Sequence, residues 1–182
     1  RGTKNNPGTW FLYMIPLMPF GWVNYERPEA ARLFLSIGEF KAQIDEDLAK
    51  ATAKHWKDAG VATNVFFDYG GLADQADYVL KTEVEEIKYH GILISYCLSV
   101  YGPLLWIFGL PAGTSDVSLR YKMELTNKSA KAVWSNTIVE EWGVVQGLYY
   151  NMGRDMEGLA LCLQRGMEKV LRENPPSLGS PE

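Results

Sequence analysis

Val117-Ser118-Leu119-Arg120-Tyr121-Lys122-Met123-Glu124-Leu125-Thr126 decides the fold of this chain. Val117, Leu119, Tyr121, Met123 and Leu125 alternate with Ser118, Arg120, Lys122, Glu124 and Thr126. A period of two puts the first set on one face of a strand and the second on the other. One face is dry and the other wet, the pattern of an antiparallel sheet covered on a single side. Asn127-Lys128-Ser129 supplies a turn, and Ala132 to Trp142 returns as the next strand. Upstream, Tyr78 to Ile87 repeats the pattern, with Leu80, Thr82 and Val84 opposite Lys81, Glu83 and Glu85. These three segments read as a meander.

Two amphipathic helices flank it. Ser36-Ile37-Gly38-Glu39 is a capping-box pattern, and Ile37, Phe40, Ile44, Leu48 and Ala51 recur behind it at helical spacing toward a stop at Gly60. From Gly153 to Glu173, Met156, Leu159, Leu163, Met167 and Val170 form a second stripe. Trp10 to Val23 is apolar but broken by Pro16 and Pro19, which suits an edge or bulged strand. Thr63 to Phe67 adds a short strand before the turn at Asp68-Tyr69-Gly70-Gly71. The expectation is an α+β fold: a mixed, largely antiparallel sheet of about five strands with two long amphipathic helices on one face. Residues 1–9 read as a flexible tether, 10–173 as a single domain with an apolar elaboration at 91–115, and 174–182 as a disordered tail.

With 182 residues, 47% of them hydrophobic, the chain is long enough for a sizeable core. A formal net charge of −4 and scattered basic residues argue against nucleic acid as a partner. Cys97 and Cys162 lie in apolar surroundings and read as small buried hydrophobes. A disulfide between them needs Cα atoms within about 7 Å, which spacing alone does not establish. Neither has a second Cys or His at ligand spacing, so no metal or cofactor is expected.

The run Gly91 to Ser115, GILISYCLSVYGPLLWIFGLPAGTS, contains no charged side chain. Its first half keeps a period of two and extends the Tyr78 strand, with Gly91 as a bulge. Gly102-Pro103 breaks it; Pro103 suits the first turn of a short helix and Gly109 its end. That break, together with Pro111, argues against a membrane-spanning helix. Two readings stay open. The segment folds over one end of the core, or it presents an apolar tip (Tyr101, Leu104, Leu105, Trp106, Ile107, Phe108 and Leu110) to a partner or a membrane surface.

Candidate chemistry is sparse. His55 and His90 are too few for a proton-transfer constellation, and Glu83, Glu85 and Glu86 read as a solvated strand face. Neither a phosphate loop nor a nucleophile elbow occurs. The reading is therefore non-catalytic. Trp134 and Trp142 share one face of their strand and are candidates for core packing or for a subunit interface.

Ala76-Asp77-Tyr78-Val79-Leu80, continuing into Glu83-Val84, and Lys131-Ala132-Val133-Trp134-Ser135 before a closing helix carry a family resemblance. The chain resembles small bacterial envelope lipoproteins. That group includes the curli secretion channel lipoprotein, lipoprotein activators of penicillin-binding proteins, and the amino-terminal domain of the Tol-Pal translocation protein. The resemblance implies a periplasmic, outer-membrane-anchored domain, tethered by a lipidated cysteine preceding Arg1 after signal-peptide removal. It also implies an assembly or scaffold role through envelope proteins or the membrane surface, with homo-oligomers among its relatives. The alternative is a small-molecule or lipid-binding module with 91–115 as its lid.

Overall fold

The computed structural model describes residues 22–25, 44–69, 71, 73–98 and 101–178. Strand β1 is Trp22–Tyr25, followed by helix α1, Ile44–Asp58, and a 3-10 turn at Ala73–Gln75. Strand β2 runs Tyr78–Ile94 and leads to a short helix α2, Gly102–Ile107. Strands β3, Pro111–Asn127, and β4, Ala132–Gly147, follow. A second 3-10 turn, Arg154–Glu157, precedes helix α3, Gly158–Glu173.

The expected α+β sheet of about five strands with two long helices is corrected by this arrangement. Three long antiparallel strands make one sheet in the order β1-β2-β3-β4, with the four-residue β1 at its edge. Among the described residues, three helices accompany it, of 15, 6 and 16 residues. Thr63–Phe67 forms no strand: the segment is coil, with Thr63, Asn64 and Phe66 exposed and Val65 and Phe67 only half-buried. The capping box at Ser36–Glu39 and residues 10–21 of the expected first strand lie outside the described residues.

β2 ends earlier than its pattern suggests. Tyr96 and Cys97 take φ of 56° and 61°, so the chain leaves extended geometry just after Ile94. The expected bulge is also displaced. Gly91 pairs in register with Tyr25 of β1, whereas Glu85 and Glu86 are exposed in succession and shift the inward set from Leu80, Thr82 and Val84 to Ile87, Tyr89 and Leu93.

The described chain divides into two compact units, and all three long strands supply residues to both. One unit holds, among the described residues, 44–69, 71, 73–87, 119–140 and 160–178. Its core is Leu48 and Trp56 of α1, Leu119, Tyr121, Met123 and Leu125 of β3, Ile138 of β4, and Cys162, Leu163, Met167 and Val170 of α3. The Thr52 hydroxyl donates to the Leu48 carbonyl at 2.8 Å and lies 3.1 Å from the Tyr121 hydroxyl, so this buried hydroxyl is satisfied. Trp134 donates from Nε1 to the Asn174 carbonyl at 3.0 Å, which holds the chain beyond α3 against β4.

The other unit holds, among the described residues, 22–25, 88–98, 101–118 and 141–159. Leu93, Trp106, Ala112, Val117 and Trp142 are its buried apolar residues, joined by buried Ser95, Ser115, Gln146 and Asp155. Close backbone approaches shape it. A Cβ on Gly102 would stand 2.5 Å from the Ser95 backbone, and one on Gly113 would stand 2.3 Å from the Ile92 carbonyl oxygen.

Candidate functional site

Helix α2 is short because its sequence starts and stops it within two turns. Pro103 fits the first turn, where no N–H partner is needed. At the other end, Phe108 N–H donates to Leu105, Gly109 N–H to Trp106 and Leu110 N–H to Leu105, while Gly109 sits at φ 89°. That left-handed residue is where a glycine is required. The helix is held from behind. Trp106 is 6% exposed and donates from Nε1 to the Ile94 carbonyl at 2.9 Å, tying α2 to the last residue of β2. The Tyr96 hydroxyl donates to the Pro111 carbonyl at 2.6 Å across the neck of the loop. Burial, and secondarily the charge of Tyr150, pushes the Tyr96 phenol above its ordinary value.

In front, the helix is bare. Phe108 is 80% exposed, Leu104 and Ile107 are 53% exposed, and Tyr101 is exposed as well. Tyr149 adds to them: its hydroxyl donates to the Ile107 carbonyl at 2.9 Å, and its ring is exposed beside the exposed Leu148. Of the residues singled out from sequence, Tyr101, Leu104, Ile107 and Phe108 are brought together on this surface. Trp106 is turned inward, and Leu105 and Leu110 are half-buried. Trp142 is buried, near enough to Gly158 that a Cβ there would meet its ring at 2.8 Å. Trp134 meets Trp56 edge-on at 5.6 Å between ring centroids. Tyr149 was missed, although the Leu148-Tyr149-Tyr150 run after Gly147 was the signal for it.

Cys97 is exposed, against the expectation of a buried hydrophobe, because its left-handed backbone turns it out of the sheet. Cys162 is buried, and the two are not joined in a disulfide. Among the described residues there is no group of three or more His, Cys, Asp and Glu side chains placed to hold a metal ion. No helix of the described residues is long and apolar enough to cross a membrane.

A concavity lies in the α1 unit. It is a groove of about 860 Å³ walled by Ala49, Ala53 and Trp56 of α1, the 61–68 coil, the start of β2, and Leu125. No residue of the 91–115 run is among its lining residues. Beside it Glu46 accepts from Lys50 and, at 2.7 Å, from the Tyr69 hydroxyl. The Lys50 hydrogen bond, then that of Tyr69, holds the Glu46 carboxyl below its ordinary value, and the Glu46 hydrogen bond holds the Lys50 ammonium above its own. The Lys50 ammonium stands 5.5 Å from the centroids of Phe67 and Tyr69. This cluster is solvent-exposed and contributes little to stability.

No protein-family model, curated protein or solved structure matches this chain.

Proposed function

We propose that this chain is a non-catalytic contact domain of the bacterial cell envelope, and that the α2 tip seats it on a membrane surface. One observation carries the reading: Leu104, Ile107 and Phe108 stand exposed together on a helix anchored from behind by Trp106, in a run without charge. A protein partner is held in register by polar groups around an apolar centre. A bilayer asks only for apolar depth with amphipathic aromatics at the rim, and Tyr101 and Tyr149 supply that rim.

The magnitude fits a reversible contact. Burying the exposed parts of these three side chains yields about 4 kcal/mol, at roughly 2 kcal/mol per fully buried side chain. That corresponds to a dissociation constant of about 1 mM. Stable residence at a membrane takes a second attachment. The lipidated cysteine implied by the envelope-lipoprotein resemblance fills that role in this reading, and the assembly or scaffold task follows from the anchored position.

Co-sedimentation of residues 1–182 with phosphatidylcholine vesicles at millimolar lipid tests it. The wild-type protein is expected to pellet in part, and a Leu104→Ser, Ile107→Ser variant to stay in the supernatant. Equal pelleting of the two, or none by either, contradicts the proposal.

A further inference from the structure

We infer that the outer edge of β4 pairs antiparallel with β4 of a second copy of this chain, forming a two-fold symmetric dimer. Among the described residues β4 is the last strand of the sheet, so one of its edges has no strand beside it. Edge strands are commonly kept from pairing by short length, prolines or charged side chains. β4 is 16 residues long and has no proline. Its solvent face from 133 to 139 reads Val133, Ser135, Thr137 and Val139, all exposed and all uncharged. The interior strand β3, which needs no such guard, carries Arg120, Lys122 and Glu124 on its wet face. Charge is thus kept off the edge that is free to pair. That free length has an end: the Val145 carbonyl accepts from Asn151 at 3.0 Å, and Gly147 bridges to Tyr150.

The pattern selects both the partner and the register. Placed antiparallel about Asn136, two copies set Val133 opposite Val139, Ser135 opposite Thr137, and Lys131 opposite Glu141. Two-fold symmetry makes each of these pairs occur twice. Lys131 and Glu141 are exposed, and among the described residues neither forms an ion pair within the chain. Their neighbours are already engaged, Lys128 with Asp77 at 2.7 Å and Glu140 with Lys169 at 3.7 Å. A slip of two residues destroys the match. One way, Val133 meets Thr137 and Val139 meets Lys131; the other way, Val133 meets Glu141 and Val139 meets Ser135. A partner of unrelated sequence has no reason to mirror this order, whereas a second copy supplies it by symmetry. The ladder spans only residues 131–141 of each copy, which makes the dimer a weak, concentration-dependent one.

Sedimentation velocity of residues 1–182 over a range of about 5 to 500 µM tests this, and a concentration-dependent dimer is expected. Val139→Lys, at a side chain 55% exposed, is expected to abolish the dimer and leave the melting temperature unchanged. Lys131→Glu or Glu141→Lys alone sets like charges opposite each other at two places and raises the dissociation constant about fivefold. The double variant Lys131→Glu, Glu141→Lys restores opposite charges and with them the wild-type affinity. Phe108→Asp leaves dimerisation unchanged, which separates this edge from the exposed tip. A chain that stays monomeric at the highest concentration, or a dimer that survives Val139→Lys, overturns the edge pairing. A double variant as weak as either single overturns the register. Loss of the dimer in Phe108→Asp overturns the pairing in favour of association through the α2 tip.

Discussion

At Gly102 the backbone of the tip touches the backbone of its neck. An added Cβ would stand 2.5 Å from both the Cα and the carbonyl oxygen of Ser95, atoms that cannot swing aside as a side chain can. Gly102→Ala is expected to destabilise the tip by about 1–3 kcal/mol, the range for overpacking a tight site. Hydrogen exchange across 101–110 checks this, and unchanged protection there contradicts it. Tyr96 guards the same neck through its bond to Pro111, and its raised pKa fixes a sign. The unfolded chain ionises first as pH climbs past the ordinary phenol value of 10.0, so the contribution is complete below that value and is lost as pH rises through the folded pKa. Protection of the tip should fall in that alkaline window, and Tyr96→Phe should abolish that part of the pH dependence. A fall that persists unchanged in Tyr96→Phe assigns it to another group.

Among the elements, helix α3 packs closest. A Cβ on Gly166 would lie 2.2 Å from Cγ2 of Ile138 in β4. Alanine improves helix propensity by about 1 kcal/mol, yet overpacking costs about 1–3 kcal/mol, so the clash outweighs the gain. Gly166→Ala is expected to lower the melting temperature, and a rise would show that Ile138 yields freely. Legibility in the sequence also varied by element. β3 was plain because Val117 to Leu125 alternates against one buried face without interruption. β2 was only partly so, since a slip at Glu85-Glu86 and the left-handed pair at Tyr96-Cys97 are set by packing rather than by local pattern. The 63–67 segment has strand-like composition, but composition does not reveal whether a neighbouring edge exists. α3 begins at Gly158 instead of Gly153, because Gly153 takes φ 76° and a 3-10 turn intervenes.

For the molecule as a whole, the tip was legible as an uncharged run but its working face was not. Sequence treated residues 101–110 alike, whereas the fold turns Trp106 inward as an anchor, leaves Phe108 outermost, and recruits Tyr149 from another segment. The groove was invisible in sequence because it is made by what α1 lacks, the bulk at Ala49 and Ala53. The central claim is that the exposed apolar face of α2 rests on a membrane. Its most direct test is the partition coefficient into phosphatidylcholine vesicles of wild type against Phe108→Asp. Phe108 is exposed in the unbound protein, so the substitution is expected to leave the unfolding free energy within about 0.5 kcal/mol of wild type. The account predicts a drop in partitioning of about tenfold or more, from the loss of one largely buried aromatic and the burial of a carboxylate. Equal partitioning of the two proteins would contradict it.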